Sequence, residues 1–258
     1  MTAAESVDAK PWRNADVDWD QWPVETYLSE NYRDLHPCDD AVLVHHSAFY
    51  SRLGSDSIGR SLEVGVGPNL YPLMLAAAAS RRVEAVDVSA SNVAYVARQL
   101  TEGADDSWQP FYARCRALNP ALPLTMDAAL DRCSVALGGL LDVERGAYDL
   151  SSMTFVAESI SETMSEVAQF CRAFVGSVRP GGLLVAAFME NQSRYQLGEA
   201  SRWPGCPITA ADVQRLFEVD ADDLVITRIE ADPTLPAYYG GYTGMIMLTG
   251  RRRANTQS

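Results

Sequence analysis

Basic side chains are scarce in this chain: 21 Lys and Arg stand against 34 Asp and Glu, a formal charge of −13 over 258 residues. That balance lacks the electrostatic footprint of a nucleic-acid binder or of a protein that docks on anionic membrane. Histidine is rarer still, present only as His36, His45 and His46. Helix neighbours diverge by about 100°, so His45 and His46 share no face on which to hold a metal. The cysteines, Cys38, Cys115, Cys133, Cys171 and Cys206, are widely spaced, odd in number and without a C-x-x-C pair. They support neither a metal site nor a disulfide framework. No apolar run approaches the roughly 20 residues of a membrane helix. Met1 to Asp8 has neither the basic nor the apolar region of a signal peptide, so the expectation is a cytoplasmic protein without nucleic-acid or membrane partners. Internal repeats and low-complexity segments are also lacking, and nothing bears on oligomeric state.

What is present is apolar: 47% of the residues are hydrophobic, enough for a buried core at the upper edge of one domain. Residues 1–21 read as a loose tail, 22–56 as a helical lid, 57–253 as one α/β core and 254–258 as a second tail. Within the lid, one helix carries Tyr27, Leu28 and Tyr32, and another runs from an N-cap at Asp39 or Asp40 to Leu53, before Gly54. Strands are expected at Ser61–Val64, Val83–Val88, Ser134–Val143, Tyr148–Val156, Leu183–Phe188, Leu224–Ile229 and Met245–Thr249. Helices fall between them at Leu70–Ala79, from a Ser91 cap through Leu100, ahead of Arg179, and at Ile208–Phe217. Residues 101–135, broken by Pro110, Pro120 and Pro123, give no clear period. Alternating strands and helices predict a doubly wound, mostly parallel sheet ending in an antiparallel hairpin.

The chemistry concentrates at Glu63-Val-Gly65-Val-Gly67-Pro68, followed 22 residues after Gly65 by Asp87. Glycines at a strand-to-helix turn let a ligand approach the backbone, and an acid ending the next strand can accept ribose hydroxyls. The same spacing occurs in dinucleotide folds, but Leu70 stands where their third glycine would be. Glu63, ending the first strand, would repel a pyrophosphate and favour a cation. S-adenosylmethionine carries an ammonium and a sulfonium and no phosphate, which favours a methyl donor over NAD. A tight turn without a ligand is the plain alternative for the glycines alone.

Leu62-Glu-Val-Gly-Val-Gly-Pro-Asn-Leu-Tyr71 resembles the first motif of the class I S-adenosylmethionine-dependent methyltransferases. More narrowly, it is similar to the group of nicotinamide, phenylethanolamine and indolethylamine (thioether) N-methyltransferases. Tyr27-Leu28 to Tyr32, Asp87-Val-Ser-Ala-Ser-Asn92, Leu141-Asp142-Val143, Arg179-Pro-Gly-Gly-Leu-Leu-Val185 and Tyr195-Gln-Leu-Gly-Glu199 follow that group's order across about residues 22–253. The resemblance implies a seven-stranded Rossmann-like fold and S-adenosylmethionine as cofactor, without a metal. It implies that Tyr27 and Tyr32 come from the lid to the methionine end, and that Glu63, Gly65 and Gly67 form the floor with Tyr71 nearby. Asp87, with Val88 beside it, would hold the ribose, Asn92 would lie by the adenosine, and Asp142-Val143 would read the adenine edge. Packing alone remains the alternative for the aromatics, and a solvated strand end for Asp142.

For the acceptor, the resemblance implies an acid after the fourth strand, here Glu158, holding the substrate nitrogen. An amine must arrive neutral, so the same carboxylate is expected to help relay its proton, and Tyr32 is the second catalytic candidate. Relatives carry an acid at the end of the fifth strand; here Phe188-Met189 stands there and Glu190 follows, which speaks against plain nicotinamide. Gln192 and Tyr195 complete the candidate substrate set. Tyr238-Tyr239-Gly-Gly-Tyr242 reads either as an aromatic wall for a flat or cationic small molecule or as a packed loop. The expected reaction is methyl transfer to a nitrogen of an amine or N-heterocycle. Transfer to oxygen or sulfur on the same fold, a cofactor-binding protein without catalysis, and a nicotinamide dehydrogenase are the alternatives.

Overall fold

The computed structural model of the chain describes residues 10–198, 201–232, 234 and 241–254. Its helices are α1 (Val24–Asn31), α2 (Pro37–Tyr50), α3 (Tyr71–Ala76), α4 (Ala90–Glu102), α5 (Gln109–Leu118), α6 (Met126–Leu130), α7 (Met164–Ser177) and α8 (Ala210–Phe217). Its strands are β1 (Ile58–Val64), β2 (Ser80–Asp87), β3 (Cys133–Leu137), β4 (Tyr148–Thr154), β5 (Val178–Glu190), β6 (Tyr195–Leu197), β7 (Ser201–Trp203), β8 (Ala221–Glu230) and β9 (Gly244–Arg252). Seven form one sheet in the order β3-β2-β1-β4-β5-β9-β8. β1 to β5 run parallel, and β9 pairs antiparallel with both β5 and β8. This is the expected doubly wound sheet with its terminal antiparallel pair. β6 and β7 form a separate hairpin that sequence periodicity did not reveal.

Alternate side chains of the central strands feed two apolar layers, as the two-residue period of a strand requires. Leu183, Val185, Ala187 and Met189 of β5 face the layer of α2, α3 and α5, whereas Leu184, Ala186 and Phe188 face that of α7 and α8. The order of the chain reverses between β1 and β4, so their carboxyl ends open a crevice at the switch point, where ligands bind in open α/β sheets.

Several local expectations are corrected. α2 begins at Pro37 with His36 as its cap, its Nδ1 accepting from Cys38 N at 3.2 Å, so Asp39 is released from capping. α4 is capped by Ser89, not Ser91. The strand expected over 134–143 stops at Leu137; Gly138 N bonds to Asp87 O at 2.9 Å, and Leu140–Asp142 turn as a 3-10 segment. The unassigned stretch 101–135 holds α5, α6 and the start of β3. Residues 10–21, expected to be loose, instead make two 3-10 turns, Asn14–Asp16 and Trp19–Gln21, tied to the body of the fold. Trp12 N donates to Glu162 Oε2 at 2.9 Å, Asn14 N to Glu166 Oε2 at 3.1 Å, and Asp20 Oδ1 accepts from Ala90 N at 2.6 Å.

Candidate active site

The turn after β1 is built on two left-handed glycines, Gly65 at φ 62° and Gly67 at φ 56°. Gly65 has no room for a side chain, since a Cβ there would lie 2.7 Å from Val156 Cγ1, whereas Gly67 faces open space. The loop is fixed across the sheet: Gly65 N donates to Val86 O at 2.8 Å and Gly67 N to Asp87 Oδ2 at 2.8 Å. The other Asp87 oxygen accepts from Ser89 N at 2.9 Å and from Asn92 Nδ2 at 3.2 Å. Burial raises the Asp87 carboxyl above its ordinary value, and these hydrogen bonds oppose that rise.

Above this turn lies a cavity of about 400 Å³, within the range of small-molecule sites. Gly65, Gly67, Asp87, Val88, Asn92 and Asp142 line it on the sheet side, and Tyr27, Tyr32, Gln192 and Tyr195 on the lid side. Phe155, at φ 58° just beyond β4, also lines the wall, and left-handed backbone at a non-glycine residue concentrates at ligand sites. No Lys, Arg or His belongs to the described lining.

The lid is an aromatic network. Tyr27 Oη lies 3.2 Å from Tyr32 Oη, and Asn69 Nδ2 donates to Tyr32 Oη at 3.0 Å while its Oδ1 accepts from Tyr71 N at 3.1 Å. Burial pushes the Tyr27 hydroxyl up to about 12. Trp19 and Trp22, from the segment expected to be a tail, line the cavity and pack on Trp203 of β7 at centroid separations of 5.4 and 4.7 Å. Trp22 also meets Tyr27 edge-on at 5.1 Å.

Six expected site residues stand off the cavity wall. Glu63 is buried beneath the glycine turn, where its Oε2 accepts from Ser152 Oγ of β4. Burial pushes its carboxyl up to about 8, and the carboxyl is not part of the cavity wall. Tyr71 stacks on Phe111 with their rings 3° from parallel. Val143 packs against the α7 layer. Glu158 is fully buried: Oε1 accepts from Met189 N at 2.7 Å, Oε2 has no hydrogen-bond partner, and burial lifts the carboxyl to about 8. Its neighbours Ser159 and Ile160, not Glu158 itself, reach the wall. Glu190 is held by Arg228 Nε at 2.9 and 2.8 Å and by Thr243 Oγ1 at 2.7 Å. Tyr242 Oη lies 3.3 Å from Cys38 Sγ, packed behind the lid. Tyr238, Tyr239 and Glu199 lie outside the described residues.

Among the lining residues that sequence reading missed are Asn14, Trp19 and Trp22 of the N-terminal segment, Asp39 of α2, and Phe155, Ser159 and Ile160 after β4. A signal existed for Asp39. Asp39, Leu43, His46 and Tyr50 are all buried on α2 at spacings of one helical stripe, and an acid on an inward stripe needs a partner. No group of three His, Cys, Asp or Glu side chains gathers among the described residues, and no described helix is long and apolar enough to cross a membrane.

Strand order, glycine turn and crevice define the Rossmann-like fold of the class I methyltransferases. Among solved structures, the chain resembles the N-methyltransferase NodS from Bradyrhizobium japonicum WM9 in complex with S-adenosylhomocysteine, with a TM-score of 0.55 and 14% identity over 88% of this chain and 98% of that one. It also resembles the 1,6-didemethyltoxoflavin N1-methyltransferase of Burkholderia thailandensis, with bound 1,6-didemethyltoxoflavin and S-adenosylhomocysteine, at a TM-score of 0.52 and 14% identity over 89% and 85%. A S-adenosylmethionine-dependent methyltransferase from Methanosarcina mazei matches with a TM-score of 0.52 and 12% identity over 86% and 100%. At these identities the likeness is one of fold. No protein-family model matches the sequence, and comparison with curated proteins finds no relative.

Proposed function

We propose that the protein is an S-adenosylmethionine-dependent methyltransferase acting on a small-molecule acceptor, through a nitrogen of an amine or N-heterocycle. The observation that carries this reading is the composition of the cavity wall: Asp39, Asp87 and Asp142, aromatic rings and glycine backbone, without a described cationic side chain. A pyrophosphate would meet carboxylates there and no counter-charge, whereas a sulfonium, an ammonium and a ribose suit the set. The resemblance to the nicotinamide, phenylethanolamine and indolethylamine N-methyltransferases and the folds of the solved methyltransferases support the same reading.

When bound, the cofactor supplies an electrophilic methyl group that passes to an acceptor lone pair by in-line displacement and leaves S-adenosylhomocysteine. The chain's own task is placement and the exclusion of water. Asp87, held by Gly67 and Asn92, presents a fixed carboxylate at the ribose. Val88, Leu141 and Asp142 border the adenine end, while Trp19, Trp22, Tyr27 and Tyr195 cover the opposite side. Gln192, anchored through Nε2 to Ser159 Oγ at 3.2 Å, and Tyr195 are the polar groups offered to the acceptor. Glu158, off the wall and largely protonated, supports the segment carrying Ser159 rather than touching substrate.

The test is product identification after incubation with labelled S-adenosylmethionine and a panel of small amines, heterocycles, phenols and thiols. Label on nitrogen is the expected result; label on oxygen or sulfur would overturn the choice of acceptor atom while leaving the methyl donor in place.

A further inference from the structure

The methionine end of the proposed cofactor carries an ammonium that needs an anion. Glu63 is the acid that the charge argument from the sequence sets against a cation, but its carboxyl lies beneath the glycine turn, bonded to Ser152 Oγ and 1% exposed. Asp87 already accepts three hydrogen bonds, and Asp142 belongs to the far, adenine side. Asp39 remains. It lies on the first turn of α2, lines the cavity and is 2% exposed, and its Oδ2 has no hydrogen-bond partner. Tyr71 of α3 interacts with the same carboxyl and opposes the rise that burial causes. An ionised carboxylate left with a bare oxygen in a buried wall is costly, and the described lining provides no cation to offset it.

Donors for the other half of an amino acid line the same cavity: Tyr27, Tyr32 and Asn69. The Tyr27 hydroxyl forms a pair with that of Tyr32, to which Asn69 donates. Phenol hydroxyls and a carboxylate with a bare oxygen on one cavity wall are the complement of a zwitterionic amino-acid group. We propose that Asp39, rather than Glu63, is the counter-ion of the α-ammonium of S-adenosylmethionine and S-adenosylhomocysteine, with Tyr27 and Tyr32 facing the adjoining carboxylate. This rests on the methyltransferase reading.

Binding then depends on pH. Burial lifts the Asp39 carboxyl to about 7 in the free protein. The ionisable groups with which it interacts electrostatically are Tyr27 from α1, Cys38 from α2, Tyr71 from α3 and Tyr242 from the loop before β9. Burial raises Tyr27, Cys38 and Tyr242 above their ordinary values. On the α5 side Arg114 is taken by Asp40, at 2.6 Å, and beyond Tyr242 Arg228 is taken by Glu190. Asp39 is thus the member of this group that changes charge near neutrality, and the ion pair forms as pH rises through that range.

The experiment is titration calorimetry of the full chain and its Asp39→Asn variant with two probes, S-adenosylhomocysteine and 5′-methylthioadenosine, which keeps the adenosine thioether but lacks the amino-acid group. The variant should lose at least about tenfold in affinity for S-adenosylhomocysteine and less than about twofold for 5′-methylthioadenosine. An equal loss for both probes, or none, overturns the assignment. Should the variant fail to fold, the unaltered protein is titrated with S-adenosylhomocysteine and its deaminated analogue from pH 6 to pH 8. A preference for the amine that grows with pH supports Asp39; a preference independent of pH, or none, overturns it. If the unaltered protein binds neither S-adenosylhomocysteine nor 5′-methylthioadenosine, the methyltransferase reading itself falls, and the Asp39 assignment with it.

Discussion

The carboxylate of Asp87, the last residue of β2, accepts the backbone N–H of Gly67 at 2.8 Å, so the acid expected to hold the ribose also holds the turn beneath the cavity. Asp87→Ala should therefore lose both functions. The expected outcome is a fall of about a hundredfold or more in affinity for S-adenosylhomocysteine, the effect of deleting a buried charged acceptor with several donors. Unchanged affinity in calorimetry would remove Asp87 from the site.

The two glycines of the turn should separate stability from binding. Both are left-handed, so alanine is strained at either, but only at Gly65 does a Cβ collide with Val156. Gly65→Ala should cost about 1–3 kcal/mol from backbone strain, with overpacking added, and lower the Tm. Gly67→Ala should cost less stability but fill space next to the ligand. Equal Tm losses would contradict the placement of Val156.

Stability should fall as the medium becomes alkaline. Glu158 and Glu63 rise from 4.5 to about 8 on burial, so the folded chain keeps protons that the unfolded chain releases. Their contribution is complete below about pH 4.5 and is lost as pH rises through about 8. Glu158→Gln mimics the protonated acid and should make the decline of Tm between pH 5 and pH 9 shallower, with affinity for S-adenosylhomocysteine retained. A decline as steep as that of the parent would show that Glu158 is ionised in the folded chain.

The N-terminal strap is held to α4 by Asp20 Oδ1 on Ala90 N, at 2.6 Å. Removing a side-chain bond to a helix N-terminus costs about 0.5–2 kcal/mol. Asp20→Ala should loosen Trp19 and Trp22 over the cavity and weaken S-adenosylhomocysteine by roughly threefold to thirtyfold, with the increase in dissociation rate. Stopped-flow tryptophan fluorescence checks this; an unaltered dissociation rate would mean the strap does not retain the ligand.

Much of this architecture is legible in the chain. Alternating strand and helix periods lead to the parallel sheet, and Gly65, Gly67, Asp87 and Asn92 meet on one cavity because each stands at a carboxyl strand end or the helix start that follows. Residues one step away from those ends were harder to place. Glu63 opposes Leu62 and Val64 on β1, but only the neighbouring strand reveals that Ser152 meets it from the side. Glu158 follows β4 as an active-site acid would, yet the loop turns Ser159 and Ile160 outward and gives its carboxyl to Met189 N. Trp19 and Trp22 sit in a segment without regular period, and their partner Trp203 lies on a hairpin too short to read from sequence. Long-range packing of this kind leaves no mark in a local pattern.

Calorimetric titration of the full chain with S-adenosylhomocysteine, run beside NAD, tests the central claim most directly. Micromolar binding of S-adenosylhomocysteine without binding of NAD is the predicted result; binding of NAD alone would contradict the reading of the acidic cavity as a methyl-donor site.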